Sequence, residues 1–254
     1  MKIAAQLYTI RDFLKTPSDI LASLQRVKEI GYNAVQVSGL GPIDAAELKQ
    51  MTDDIGLTIC ATHVPYPQLQ SDIKSVIEVH QLWNCKYVGI GSMPDSYRSS
   101  REGYEAFARE ASEYGRVLAK EGLKLIYHNH NFEYAKFDGV TGMDILLQTF
   151  DPAAVDFELD VYWVQAGGAD PVQWIRKVAG RMKVVHLKDM AVSPDRSSMF
   201  AEVGEGNMNW SEMIRACSDI GVDWGAVEQD QCQGNPFDSL KTSLENLRSM
   251  PVEI

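Results

Sequence analysis

A chain of 254 residues, 45% apolar and 23% charged, has side chains enough for a sizeable core, which excludes a disordered, collagen-like or membrane-spanning polypeptide. Thirty-five acidic against 24 basic residues give a formal net charge of −11. Such a surface disfavours nucleic acid and membrane as partners, although a local pocket can still oppose the global field and take an anionic small molecule.

Strand-length apolar runs alternate with segments of helical period along the whole chain. The first strand is Ile3–Leu7, too short an apolar stretch for a signal-peptide core. A helix follows from Thr16-Pro17-Ser18-Asp19, where Thr16 suits the cap and Pro17 the first helical position, and Gly31 ends it. Further strands are predicted at 34–38, 58–63, 87–91, 123–128, 155–159, 182–187 and 224–228. The helices between and after them are expected near 43–55, 73–83, 101–121, 141–149, after Asp170-Pro171, at 210–220 and at 237–250. Eight strand-helix units without a linker predict one domain over residues 1–254, a (β/α)8 TIM barrel. Neither GxGxxG after the first strand nor GxxxxGK[ST] occurs, which removes the usual nucleotide fingerprints of an open sheet. Cys60, Cys85, Cys217 and Cys232 lack CxxC spacing and read as reduced core thiols of a cytoplasmic protein.

In such a barrel the C-terminal ends of the strands form the active face. Four of the five histidines fall there: His63, His128, His130 and His186, whereas His80 lies in a helix and reads as surface or packing. Glu133, Asp160, Asp189 and Glu228 accompany them. Carboxylate oxygen with neutral imidazole suits a divalent ion of intermediate hardness. Several members carry alternatives. His63 either bonds a strand-end carbonyl or faces a site, and His128 reads as part of its strand's core. Asp160 either caps the next turn or acts as a ligand, and the cost of a carboxylate beside a buried strand favours the ligand. The same cost favours a functional role for His186 and Glu228. Lys188 and Asp189 could form a surface ion pair. Gly204-Glu205-Gly206 reads as a turn with too few amides for a phosphate cradle. Trp163 and Phe132 either pack structurally or cover a sugar's apolar face.

The segments Tyr127-His128-Asn129-His130-Asn131-Phe132-Glu133, Leu159-Asp160-Val161-Tyr162-Trp163, Val185-His186-Leu187-Lys188-Asp189, Gly204-Glu205-Gly206 and Val227-Glu228-Gln229-Asp230 carry a family resemblance. Over essentially its full length the chain resembles the sugar phosphate isomerase/epimerase superfamily of xylose isomerase-like barrels, nearest to inosose dehydratase-like and keto-sugar-processing members. The resemblance implies one divalent metal (Mn, Zn, Co or Mg) held by Asp160, His186 and Glu228. The superfamily's strand-five glutamate falls on Tyr127, or on His128 after a one-residue shift, so Glu133 or a histidine is expected to complete the shell. Trp163 stands where many relatives have a substrate-binding histidine, and Gln36 at a position often held by glutamate.

The expected function is metal-assisted proton abstraction next to a carbonyl through an enediolate, giving an isomerase, an epimerase or a keto-sugar lyase or dehydratase. Glu228, Glu133 and His130 are the expected catalytic groups, and His63, Lys188 and Trp163 the expected substrate-binding groups. Glu133, Asp160, His186 and Glu228 are the expected metal shell. The expected partner is a sugar or keto-sugar, and a homo-oligomer is allowed. The alternatives are a sugar-binding barrel with a decayed metal site and an abasic-site endonuclease, the latter opposed by the net charge of −11.

Overall fold

The computed structural model describes residues 1–250. Eight parallel strands close into a barrel: β1 (Lys2–Gln6), β2 (Ala34–Val37), β3 (Thr58–Val64), β4 (Tyr87–Ile90), β5 (Lys124–His128), β8 (Val155–Asp160), β9 (Met182–Leu187) and β12 (Trp224–Val227). Two small antiparallel hairpins lie outside it, β6 (Lys136–Phe137) with β7 (Val140–Thr141) and β10 (Asp189–Val192) with β11 (Ser198–Ala201). The outer helices are α1 (Pro17–Ile30), α2 (Ala45–Ile55), α3 (Tyr66–Leu82), α4 (Arg101–Lys120), α5 (Gly142–Thr149), α6 (Val161–Ala166), α7 (Pro171–Lys177), α8 (Trp210–Asp219) and α9 (Pro236–Ser249). Among the described residues no helix is long and apolar enough to cross a membrane.

Local chemistry starts the helices where the sequence predicts. Thr16 Oγ1 accepts from Asp19 N at 3.2 Å while the Asp19 carboxylate accepts from Thr16 N at 3.1 Å, a reciprocal cap for α1. Besides the short β6–β7 hairpin and a 3-10 helix over Leu7–Phe13, three features depart from the expectation. Helix α3 begins at Tyr66 instead of Ile73 because it contains a kink at Asp72 (φ −152°), whose carboxylate caps the second half at Ser75 N. The periodic apolar signal marks only that second half. Helix α6 was not predicted, being only 6 residues long. The expected long loop after β9 contains the β10–β11 hairpin.

The two-residue period of a strand sends successive side chains to opposite faces. Facing the helices, Val35, Val88, Leu125, Phe157, Leu159, Val185, Leu187 and Val227 belong to the large core. Facing inward, Ala4, Ala34, Ala61, Tyr87, Ile126 and Val184 form a separate apolar plug. The next inward positions toward the C-terminal ends are polar: Gln6, Gln36, His63, His128, Glu158, His186 and Glu228. The plug supports this layer from below.

Candidate active site

The polar layer and the loops above it surround a cavity of about 440 Å³ whose lining includes Tyr8, His63, His128, His130, Glu228 and Asp230. At its base His128 Nε2, Asp160, His186 and Glu228 converge, with one ligand atom from each within 4.8 Å of the others. His186 Nδ1 is 2.9 Å from Glu228 Oε2 and 3.7 Å from Asp160 Oδ2, and His128 Nε2 is 3.3 Å from Asp160 Oδ2.

The remaining nitrogens of both histidines have other partners. His128 Nδ1–H donates to the Gly91 carbonyl at 3.0 Å, and His186 Nε2–H donates to Gln36 Oε1 at 2.8 Å. This is the arrangement that orients an imidazole toward a metal, with the far N–H anchored and the near nitrogen turned to the carboxylates of the group. Two imidazoles and two carboxylates suit a divalent ion of intermediate hardness. The donor set therefore fits the group that the sequence implies.

Asp160 caps the next turn and also belongs to the converging group. Its Oδ1 accepts from Trp163 N at 3.1 Å and caps α6, while Oδ2 faces the imidazoles and Lys188. Lys188 is not a surface residue: it is 1% exposed, and its ammonium lies 2.9 Å from Asp160 Oδ2, 2.7 Å from Glu228 Oε2 and 2.7 Å from Asp230 Oδ2. Burial alone would raise the carboxyl pKa values of Asp160 and Glu228, but Lys188 and the histidines hold both well below the usual range. Burial opposes the charged form of His186 as well, yet Glu158 and Glu228 beside it raise its pKa above the ordinary value.

Asp189 does not pair with Lys188. Its buried carboxylate accepts from Met190 N at 2.7 Å, Gly204 N at 2.9 Å, Gly206 N at 3.1 Å, Met208 N at 3.3 Å and the Trp210 indole. The Gly204-Glu205-Gly206 segment is a turn, as expected, and its amides hold the chain's own carboxylate. A Cβ on Gly206 would lie 2.3 Å from Asp189 Oδ1, so only glycine fits there.

Glu133 stands outside the converging group. Its carboxylate is fully buried and accepts from Tyr127 OH at 2.6 Å and His130 N at 2.9 Å. Burial pushes its pKa up to about 7 although these donors oppose the shift. Of the two strand-five positions that the resemblance allowed, Tyr127 belongs to the outer core and His128 faces the site. His130 lines the cavity between Phe132 (ring centroids 5.5 Å, nearly parallel) and Trp163 (5.5 Å), and burial lowers its pKa to about 3. Trp163 stands behind His130, with Lys188 Nζ 5.6 Å from its ring. His80 is buried and braces β3, its Nδ1–H donating to the Val76 carbonyl and its Nε2 meeting Thr62 Oγ1, each at 2.7 Å.

Glu158 and Asp230 were not singled out from the sequence. Glu158 is 0% exposed on the inner face of β8, beside His63, His186 and Gln36. The alternation Asp156-Phe157-Glu158-Leu159-Asp160 was the available signal, since residues two apart share a face.

Inosose dehydratase from Geobacillus kaustophilus is 25% identical over 189 residues, which are 66% of this chain and 61% of that protein. The chain thus matches less than two thirds of that relative's length. Inosose dehydratase from Clostridium botulinum is 20% identical over 247 residues, covering 82% of each chain. A sugar phosphate isomerase/epimerase from Parabacteroides distasonis superposes with a TM-score of 0.84 at 24% identity, over 98% of this chain and 94% of its own. Residues 24–250 match the xylose isomerase-like TIM barrel family, and the chain belongs to that family.

Proposed function

We propose that this protein is a divalent-metal-dependent enzyme that removes a proton next to a carbonyl of a sugar, keto-sugar or cyclitol, as an isomerase, epimerase or dehydratase. The observation that carries the reading is the convergence of His128, Asp160, His186 and Glu228 within 4.8 Å at the base of an open cavity. The comparisons with an isomerase/epimerase and with inosose dehydratases support it.

In this reading those four side chains hold the ion. When bound, the ion supplies Lewis-acid polarisation of the carbonyl and its neighbouring hydroxyl. Glu228 lines the cavity and takes the proton. His130, on the cavity wall, serves the second transfer by passing on the proton that Glu228 has taken, to carbon or to a departing hydroxyl. Lys188 holds Asp160, Glu228 and Asp230 together through one ammonium group and favours the charged forms of Asp160 and Glu228. Trp163 and Phe132 do not line the cavity; they flank the His130 ring and fix its position at the wall. Glu133 has a positioning role, through its bond to His130 N.

The test is carbon-bound hydrogen exchange in deuterated water, read by NMR for metal-loaded protein against a panel of ketoses and inososes. Deuterium next to a carbonyl, lost in Glu228→Gln, is the expected result. No exchange into any panel member would contradict the reading.

A further inference from the structure

Below the ligand group lies a hydrogen-bonded chain that the proposed chemistry does not use. His186 Nε2 is 2.8 Å from Gln36 Oε1, Gln36 Nε2 is 2.8 Å from Glu158 Oε1, and His63 Nε2 is 2.7 Å from Glu158 Oε2. Gln36, Glu158 and His186 are each 0% exposed, so no bulk water substitutes for a missing partner.

We propose that Gln36 and Glu158 are positioning residues that lock the tautomers of two imidazoles, one at the ligand group and one on the cavity wall. The directions follow from donor and acceptor inventory. Glu158 Oε1 accepts from the Gln36 amide N–H at 2.8 Å, and the second oxygen of the same carboxylate lies 2.7 Å from His63 Nε2, so Glu158 is the acceptor at both ends of this chain. Gln36 must therefore turn its amide N–H toward Glu158, which leaves its oxygen facing His186. His186 must then carry hydrogen on Nε2, and its Nδ1 is the atom aimed at Asp160 and Glu228. On the other side His63 must carry hydrogen on Nε2, which leaves Nδ1 bare. Among the described residues Nδ1 has no hydrogen-bond partner, and His63 lines the cavity.

The ring's slot supports this assignment. A Cβ on Gly89 would lie 2.9 Å from His63 Cδ2, and one on Gly91, itself a lining residue, 3.0 Å from His63 Nδ1. Two side-chain-free positions on and after β4 thus admit the ring edge-on, with Nδ1 at the cavity. The consequence is a fixed acceptor on the wall for a substrate hydroxyl, set by the same buried carboxylate that orients the ligand histidine. This assignment of a hydroxylated substrate rests on the function proposed above, but the tautomer lock does not.

The experiment is a long-range proton–nitrogen correlation spectrum of Zn²⁺-loaded protein labelled with ¹⁵N-histidine. The expected spectrum shows His63 protonated on Nε2 and bare on Nδ1. A His63 protonated on Nδ1 overturns the proposal whatever any variant does. In Glu158→Gln the amide has one acceptor for two donors, so His63 should lose its single tautomer, and an unchanged His63 pattern overturns the proposal. In Gln36→Met, which removes the acceptor of His186 Nε2–H, Zn²⁺ affinity should fall about 10- to 100-fold; wild-type affinity overturns that half. Because both readouts are taken without turnover, absence of hydrogen exchange would defeat the proposed function and leave these results standing.

Discussion

Lys188 and Glu228 meet over 2.7 Å with both side chains almost fully buried, the lysine 1% and the carboxylate 5% exposed. Replacing the lysine leaves three carboxylates, those of Asp160, Glu228 and Asp230, without their shared cation. Lys188→Met should lower unfolding free energy by about 3–5 kcal/mol in metal-free protein, the usual penalty for an orphaned buried charge. Urea titration at pH 7 checks it, and added Zn²⁺ should recover part of the loss. A change near zero would mean that the carboxylates find another partner.

Glu133 gives a pH dependence of definite sign. Its folded pKa of about 7 lies above the ordinary 4.5, so between these values the folded state binds more protons than the unfolded state. Stability therefore falls as pH rises through that window, by up to about 3 kcal/mol at 1.36 kcal/mol per pKa unit. Glu133→Gln should flatten the profile between pH 5 and 7 in metal-free protein. A parallel profile in wild type and variant would remove Glu133 as the titrating group.

The strand-five ligand can be identified by stability linkage. A metal that binds only the folded protein adds about 2.7 kcal/mol at a hundredfold excess over its dissociation constant. Thermal unfolding with and without Zn²⁺ should show this shift in wild type and in Glu133→Gln. His128→Ala and His186→Ala should lose most of it. Retention in His128→Ala with loss in Glu133→Gln would reverse the assignment.

Asp189 holds the base of the β10–β11 hairpin through backbone amides and the Trp210 indole. Asp189→Asn substitutes a donor for one acceptor oxygen and should cost about 2–3 kcal/mol. Amide hydrogen exchange should accelerate selectively in residues 189–201. A uniform acceleration across the barrel would assign Asp189 to global stability instead.

The barrel was readable because its signals are local. Strand-length apolar runs, the Thr16-Pro17 cap and Gly31 act within a few residues of chain, and strand-end histidines mark the functional face. The fourth member of the converging group was not readable, because the sequence left Glu133, His128 and His130 open. That choice depends on which residue of β5 faces inward. Glu133 looked like a candidate ligand on residue type, but the turn that follows β5 directs its carboxylate to Tyr127. Lys188 beside Asp189 looked like a surface pair because adjacent opposite charges often are. The chain reversal that brings Gly204 and Gly206 onto Asp189, and the barrel closure that brings Asp230 onto Lys188, are long-range events with no local signature.

The most direct test is anomalous diffraction from crystals equilibrated with Mn²⁺ or Zn²⁺. A single strong peak about 2.0–2.3 Å from His128 Nε2, Asp160, His186 Nδ1 and Glu228 is the expected result. A barrel whose strand ends bind no ion there, or an ion held by Glu133 without His128, would contradict the account.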